Sequence, residues 1–374
     1  MNILFVTELA PFPPDKGERI RSYNLINSIL EFTERLILVS GNAPPDQEKY
    51  RKVTHWQFPE LYTKSRWMNL LLLFFRRKEF RDLLESVIDR HEVDLVMLDY
   101  KFLGNYIPIF KRRGIRVVYG THNVQSRLYF QRSARKLSDL LYKHVRYLLE
   151  KAHEKIYFRS ADVLLAVSDE DLDYYRNRLK HRCPRLIPNF INEKEYEEYQ
   201  VEKKKNQVIM TGNFNAFQNS SGLKWFLEEV WDEQLAGMAD FVIVGHGSIE
   251  HLDQIKRGNA YVENVRALGT VDNLKGYIAE SAAAIIPLSH GSGTRLKCIE
   301  SMALKTNIIS TSIGVEGIRH QGSILIADSA GEFKNKIIKV LNNEIHNEQK
   351  AYQIFLDHYS YRANSPKLKE IIYS

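Results

Sequence analysis

The stretch HGSGTRLKCIESMA, residues 290–303, gathers the residue types that hold a phosphate. Gly291, Ser292, Gly293 and Thr294 stand directly before Arg295, Lys297 and Glu300. The stretch follows an apolar run, AAAIIPLS (282–289), and opens a helical pattern with Leu296, Ile299, Met302 and Ala303 at the apolar positions. Glycines let the backbone approach an anion closely. A helix start aims N–H groups and the positive end of its dipole at that anion. Arg295 can bind a phosphate bidentately and Lys297 supplies a compact charge. Glu300 lies one helical turn beyond them, so all three can share a face. A carboxylate does not hold phosphate, but it accepts hydrogen bonds from hydroxyls such as those of a ribose. Diphosphate donors beside a diol acceptor describe a nucleoside diphosphate. A glycine-rich turn with an ordinary capping hydroxyl is the simpler alternative. The single register shared by Arg295, Lys297 and Glu300 weighs against it.

Other candidates are weaker. His122 sits between Thr121 and Asn123 at the end of a strand-like run, where a lone histidine is often structural. The VGHGS turn at 244–248 has two glycines and no third, so it is a poor dinucleotide fingerprint. The first strand carries no GxGxxG, which argues against an NAD enzyme. The acids of SDEDLDYY (168–175) invite a metal-binding reading. Ser168 capping a helix with acids in its first turn accounts for them better. With two cysteines, Cys183 and Cys298, there is no metal-ligand spacing and no disulfide framework. That usage fits a reducing cytoplasm.

The elements that must position these residues alternate regularly. In the first half NILFVT (2–7), RLILVS (35–40), DLVMLDY (94–100), RVVYGT (116–121) and DVLLAVS (162–168) read as strands. In the second, QVIMTGNF (207–214), DFVIVGHG (240–247), NVRALGTV (264–271), AAAIIPLS (282–289), TNIISTS (306–312) and SILIADS (323–329) do. Helical patterns lie between most of them, the signature of parallel sheets with helices on both faces. Ligands of such sheets bind outside the carboxyl ends of the strands. The predicted architecture is α/β, with two Rossmann-like doubly wound domains facing a central cleft. Residues 1–190 form an N-terminal acceptor domain and 191–352 a C-terminal donor domain. A helix at about 353–374 returns to the first domain. The linker is sought within 186–206, where Pro188, Asn189 and a charge-rich run interrupt the pattern.

At 374 residues the chain exceeds one ordinary core. Its net charge of +7 is uneven, with residues 1–190 contributing +10 and residues 191–374 contributing −3. An anionic partner for the first half follows from this: nucleic acid, a lipid surface or a phosphorylated acceptor. A merely solvated basic face is the alternative. The run WMNLLLLFFRRK (67–78) is too short to span a bilayer and reads as a buried helix or a surface-lying one. Phe130, Ala134, Leu137, Leu141, Leu148, Ala152 and Ile156 recur at helical steps. That stripe is expected to be core, with Lys143, Arg146 and Lys155 on the solvent side.

The block PLSHGSGTRLKCIESMALKTNIISTSIGVEGI resembles the donor-binding region of the family 4 retaining glycosyltransferases, which have the GT-B fold. PPDKGERIRSYNLI (13–26), THNVQS (121–126), IPNFIN (187–192) and TGNFNAFQNSSGLKWFLEEVW (211–231) resemble further family segments, in the family's order. The resemblance implies a hexosyltransferase-type, retaining enzyme that needs no metal and no cofactor. It moves a sugar from a nucleotide-diphosphate sugar to an acceptor hydroxyl. It places Arg295 and Lys297 on the diphosphate, with Gly291, Ser292, Gly293, Thr294 and Leu296 beside them. Glu300 would take the ribose and the Val271 backbone the base, with Gly212, Asn213 and Gly245 in the same pocket. His122 would reach the sugar or the leaving phosphate. Gly17 would close over the phosphates, and Arg19 and Arg21 would reach phosphate or acceptor. Many members carry a glutamate where this chain has Ser292, so the sugar does not carry over. Phe190 replaces the usual glycine of the linker, and the basic pair common early in the second domain is missing.

With the basic first half, the resemblance points to a glycan or lipid-linked acceptor in bacterial cell-surface polysaccharide or glycolipid biosynthesis. The expected location is cytoplasmic, peripheral at the inner face of the plasma membrane, against an anionic lipid surface and without nucleic acid. The alternatives are a GT-B nucleotide-sugar epimerase and a non-catalytic binder of sugar nucleotides or nucleic acid.

Overall fold

The computed structural model describes residues 1–14, 17–58, 61, 65, 67–131, 136–257, 261–290 and 294–374. The chain divides into two compact units, Met1–Phe190 with Tyr361–Ser374, and Ile191–Ser360. Each has its own parallel sheet, in the order β3-β2-β1-β4-β5-β6-β7 and β10-β9-β8-β11-β12-β13 respectively.

In unit 1 the chain runs β1 (Asn2–Thr7), α1 (Gly17–Phe32), β2 (Arg35–Ser40), β3 (Val53–Gln57), α2 (Met68–Leu71), α3 (Lys78–Arg90) and β4 (Leu95–Asp99). It continues α4 (Ile107–Arg112), β5 (Arg116–Gly120), α5 (Gln125–Gln131), α6 (Leu137–Ile156), β6 (Val163–Ala166), α7 (Asp169–Asp173) and β7 (Pro184–Leu186). The central strands are buried on both faces, which is why they read as unbroken apolar runs rather than alternating ones. Phe5 pairs with Leu38 on one side and Met97 on the other, at the middle of the sheet. Two strands lack that signature and were not expected: β3, half-buried at the edge, and the three-residue β7.

Unit 2 runs α8 (Lys194–Glu197), β8 (Lys205–Thr211), α9 (Phe217–Glu229), α10 (Glu233–Ala236), β9 (Asp240–Val244), α11 (Ser248–Lys256) and β10 (Val265–Ala267). There follow α12 (Leu274–Glu280), β11 (Ser281–Ile286), α13 (Leu296–Ala303), β12 (Asn307–Ser310), β13 (Leu325–Ile326), α14 (Ala330–Leu341) and α15 (Glu348–His358). The last helix, α16 (Tyr361–Tyr373), packs in unit 1. There Ser365 meets Ser28 of α1 at 2.8 Å, and Arg116 donates to the carbonyls of Ile371 and Ile372.

In both sheets the strand order reverses beside the first strand, between β1 and β4 and between β8 and β11. These switch points are where a doubly wound sheet offers a crevice at its carboxyl edge.

One sequence expectation is reversed here and another is met only in part. Helix α6 does not bury its leucine stripe: Leu137, Leu141, Leu148 and Ile156 are exposed, while Tyr142, Arg146, Glu150, His153 and Glu154 are buried. Phe130 is exposed as well, and Ala134 lies outside the described residues. The physical reason is a polar network on the inner side. Arg146 donates to Glu150 and lies over the rings of Phe102 and Tyr129. Glu154 accepts from the backbone and hydroxyl of Ser126 and from the Tyr174 hydroxyl. The run 67–78 is divided rather than wholly buried or wholly surface-lying. Leu70 and Leu73 are inside; Met68, Leu71 and Phe75 are outside.

Candidate active site

The second unit builds the donor candidate around Lys297, in the first turn of α13. Its ammonium donates to the carbonyl of Thr211 (2.6 Å), at the end of β8, and to Oδ1 of Asn219 on α9 (3.1 Å). The lysine thus spans the switch point between β8 and β11. An ammonium has three N–H donors. Two are committed, and the third has no partner among the described residues. Burial, with Arg295 nearby, pushes the Lys297 amine down to about 8. An anion set against it would restore the charged form.

The glycines here are required by close approach. A Cβ on Gly212 would lie 2.9 Å from Nδ2 of Asn219 and 3.1 Å from the Lys297 ammonium. A Cβ on Gly245, at φ +134°, would lie 1.9 Å from the Gly212 carbonyl oxygen. Gly245 in turn donates to the carbonyl of Gly269 at 2.7 Å. The ends of β8, β9 and β10 therefore meet as bare backbone. Asn219 is held from its other end, its Nδ2 donating to the Asn213 carbonyl at 2.8 Å.

Arg295 is the residue preceding α13 and is half-buried. Burial lowers its pKa, partly offset by Cys298 and Glu316. Leu296 opens the helix. The Thr294 hydroxyl is buried with no hydrogen-bond partner among the described residues. Gly291, Ser292 and Gly293 lie outside the described residues. Glu300, one turn along α13, accepts from the Tyr196 hydroxyl at 3.2 Å. Burial raises its carboxyl, while Tyr196, Lys275 and Lys297 pull it back. The Lys275 ammonium sits 4.2 Å from the centre of the Tyr196 ring. Val271 lies half-buried in the loop between β10 and α12, and the Asn213 side chain is exposed. Unit 2 therefore places Lys297, Gly212 and, through Asn219, Asn213 together. Arg295 and Glu300 share their helix.

Unit 1 brings together a different group. The His122 ring, following β5, contacts Oδ1 of Asp99 through Nε2 at 3.0 Å and meets Tyr100 edge to face. Asp99 ends β4 and is fully buried. Its other oxygen accepts from the Ser22 hydroxyl at 2.5 Å. Burial alone would raise the Asp99 carboxyl; His122, Arg21 and Ser22 hold it below its ordinary value. Gly120 makes room, since a Cβ there would lie 2.8 Å from the same Oδ1. Gly17 is exposed at the start of α1, and Arg19 is half-buried a turn along.

Arg21 is neither a surface charge nor an exposed acceptor contact. It is 2% exposed, and its Nη1 donates to the carbonyls of Ile187 and Pro188 and to Asn189. It anchors the end of the first unit to α1.

Sequence reasoning did not name Thr211, Asn219, Tyr196 or Asp99. Asp99 left a signal: a carboxylate closing an otherwise apolar strand. Asn219 and Tyr196 left none, because only the fold brings them to residues 78 and 104 positions away.

The chain matches the family model described as Glycosyltransferase Family 4 over residues 32–195 and that of Glycosyl transferases group 1 over residues 205–343. Between them the two matches take in most of both units. The chain belongs to glycosyltransferase family 4. Its fold is that of solved GT-B structures. It is similar to sucrose-phosphate synthase from Thermosynechococcus elongatus, at 16% identity and a TM-score of 0.74, over 100% of this chain and 98% of that one. It is similar to Anabaena HepE in complex with UDP, at 13% identity and a TM-score of 0.69, over the whole of both chains. Among curated sequences it is 24% identical over 229 residues to an uncharacterised 44.6 kDa protein in the cps region of Klebsiella pneumoniae. That alignment covers 58% of this chain and 57% of the relative's length. Among the described residues no helix is long and apolar enough to cross a membrane.

Proposed function

We propose that this chain transfers a sugar, with retention at the anomeric carbon, from a nucleoside-diphosphate sugar to an acceptor hydroxyl. The observation that carries the reading is the half-buried Lys297 ammonium, with one donor unspent, close in sequence to the unpartnered Thr294 hydroxyl. Lys297, Arg295, the Thr294 hydroxyl and the start of α13 receive the diphosphate. Glu300, steadied by Tyr196, takes the ribose hydroxyls. The Val271 backbone meets the base. Charge builds on the diphosphate oxygens as the sugar–oxygen bond breaks, and these fixed donors stabilise it there. Because the donors are already positioned, little reorganisation is needed in the transition state.

In the other unit the reading assigns His122 to the sugar or its leaving phosphate, with Asp99 fixing the ring. The reading also assigns Gly17 and Arg19, at the start of α1, to the phosphates. The leaving phosphate takes the acceptor proton on the same face of the sugar, so no carboxylate nucleophile is assigned. The bound UDP of Anabaena HepE makes uracil the first base to try. The relative in a cps region points to a surface polysaccharide as the product.

A thermal-shift panel of nucleotide sugars tests the reading, since a ligand of the folded state raises its melting temperature. One nucleotide class is expected to raise it, and Lys297→Met is expected to reduce the shift strongly at the same ligand concentration. A panel in which no nucleotide raises the melting temperature overturns the assignment. Turnover of the donor without acceptor would favour an epimerase.

A further inference from the structure

Glu300 is held from outside its own helix, by residues that follow the unit boundary. Tyr196, on α8, is 5% exposed, and its hydroxyl donates to Oε1 of Glu300. A phenylalanine would fill the same space, so the hydroxyl serves the carboxylate rather than the packing. Burial and the charge of Glu300 push the Tyr196 phenol up, which keeps it a donor across the neutral range. Against the ring lies Lys275 of α12. Its ammonium is 4.2 Å from the centre of the Tyr196 ring and 5.6 Å from that of Tyr199. It donates to the Glu195 carbonyl at 2.8 Å. Gln200, just beyond α8, donates to the carbonyl of Ala303 at the end of α13 at 2.9 Å. Residues of α8, α12 and α13 are thus tied together around one carboxylate.

A carboxylate that binds a vicinal diol must meet two conditions. It must be ionised, because a protonated carboxyl gives up acceptor capacity to its own O–H. It must also be fixed in its plane, so that both hydroxyls find an oxygen at once. Burial works against the first condition, raising the Glu300 carboxyl. The groups that counter it come from three elements: Tyr196 of α8, Lys275 of α12, and Lys297 of its own helix. The Tyr196 hydrogen bond meets the second condition as well, since it pins Oε1 and leaves Oε2 to a ligand. The Lys275 ammonium holds the tyrosine ring in turn by a cation–π contact. We infer, on the donor reading of unit 2, that Tyr196 and Lys275 are positioning residues for the ribose. They keep Glu300 an oriented anion, and so set the preference for a ribonucleotide over its 2′-deoxy counterpart.

The test is isothermal titration of the full chain with UDP and 2′-deoxy-UDP, and with the same pairs for ADP and GDP. The titrations run from about pH 5.5 to about pH 7.5, across the range in which a raised carboxyl ionises. The ratio of the two affinities cancels what Lys297 and the phosphate protons contribute. For the nucleotide it binds best, the wild type should prefer the ribo form by about 10- to 100-fold. Tyr196→Phe should cut that preference to about threefold or less at the acid end. Part of it should return toward neutral pH, because Glu300 without its donor ionises at higher pH. A tyrosine that served packing alone would change the melting temperature and leave the ratio and its pH profile as they were. Lys275→Met should act in the same direction more weakly, and decides the question where Tyr196→Phe does not fold. Lys275→Arg should keep the wild-type ratio, since a guanidinium also lies on an aromatic face. A wild-type ratio retained by Tyr196→Phe and Lys275→Met at every pH overturns the inference and leaves the donor reading standing. Equal wild-type binding of the ribo and deoxy forms takes Glu300 away from the ribose and overturns the inference as well. Binding of none of the pairs overturns the donor reading and the inference with it.

Discussion

Lys297 makes opposite demands on stability and on function, and pH separates them. In the ligand-free fold its amine is lowered from 10.5 to about 8, chiefly by burial. That drop corresponds to a penalty of about 3 kcal/mol on the charged form. Between those two values the unfolded chain holds a proton that the folded chain has released. Stability attributable to this group therefore rises as pH rises from about 8 toward 10.5, and is absent below that window. On the proposed function donor binding runs the other way, because a diphosphate set against Lys297 needs the ammonium. With a pKa of about 8 the charged fraction falls about tenfold between pH 7 and pH 9, and nucleotide affinity should fall about tenfold with it. Lys297→Met removes both trends. It should cost about 10- to 100-fold in affinity, the worth of a charge-assisted hydrogen bond, and about a hundredfold or more in turnover. Its effect on ligand-free stability at pH 7 should be small. Relief of the buried charge is offset by the hydrogen bonds lost at Thr211 and Asn219. Isothermal titration of the nucleotide from pH 7 to 9, beside thermal melts over the same range, reads all of this. A wild-type affinity flat across that range, or a Lys297→Met protein that binds nucleotide normally, would refute the reasoning.

Other outcomes follow from the same geometry. Gly245→Ala must displace the Gly212 backbone, so unit 2 should lose about 2–4 kcal/mol in a denaturant melt. Arg21→Met leaves the buried carbonyls of Ile187 and Pro188 and the half-buried Asn189 side chain without their donor and should destabilise by about 3 kcal/mol, with nucleotide affinity per folded molecule unchanged. Asp99→Asn keeps the shape beside His122 but removes its charge. Turnover should fall about tenfold or more while nucleotide binding measured by titration stays as in the wild type.

The alternation of apolar runs and amphipathic stretches made the two sheets legible, because parallel strands buried on both faces leave an unmistakable run of apolar residues. The strands it missed, β3 and β7, lie at sheet edges, where burial is partial and the run is broken by His55 or shortened to three residues. The candidate anion site could be singled out in sequence for a related reason. Thr294, Arg295, Lys297 and Glu300 lie at the start of one helix, so their spacing in sequence is their spacing in space. The partners that position it, Thr211, Asn219 and Tyr196, come from other connections, and no local pattern announces them. Arg21 shows the converse. In sequence it is one more cation near a glycine loop. Only the return of residues 187–189 to α1 shows that its hydrogen bonds are internal.

Helix α6 exposes a limit of periodicity itself. A stripe of leucines at helical steps establishes that the helix has two unlike faces. It does not establish which face turns inward. That direction is decided by what the neighbours offer, and here they offer the Ser126 amide and hydroxyl, the Tyr174 hydroxyl and the ring faces of Phe102 and Tyr129. These are partners for Arg146, Glu150 and Glu154, not for leucine. The inner face is supplied with partners in large part, although both ring nitrogens of the buried His153 have none among the described residues. The same residues that hold α6 in this orientation keep its leucines outward. Loosening the inner network, for instance by Glu154→Leu, leaves the Ser126 and Tyr174 donors without their acceptor and should therefore lower the stability of unit 1 by about 1–3 kcal/mol in a denaturant melt.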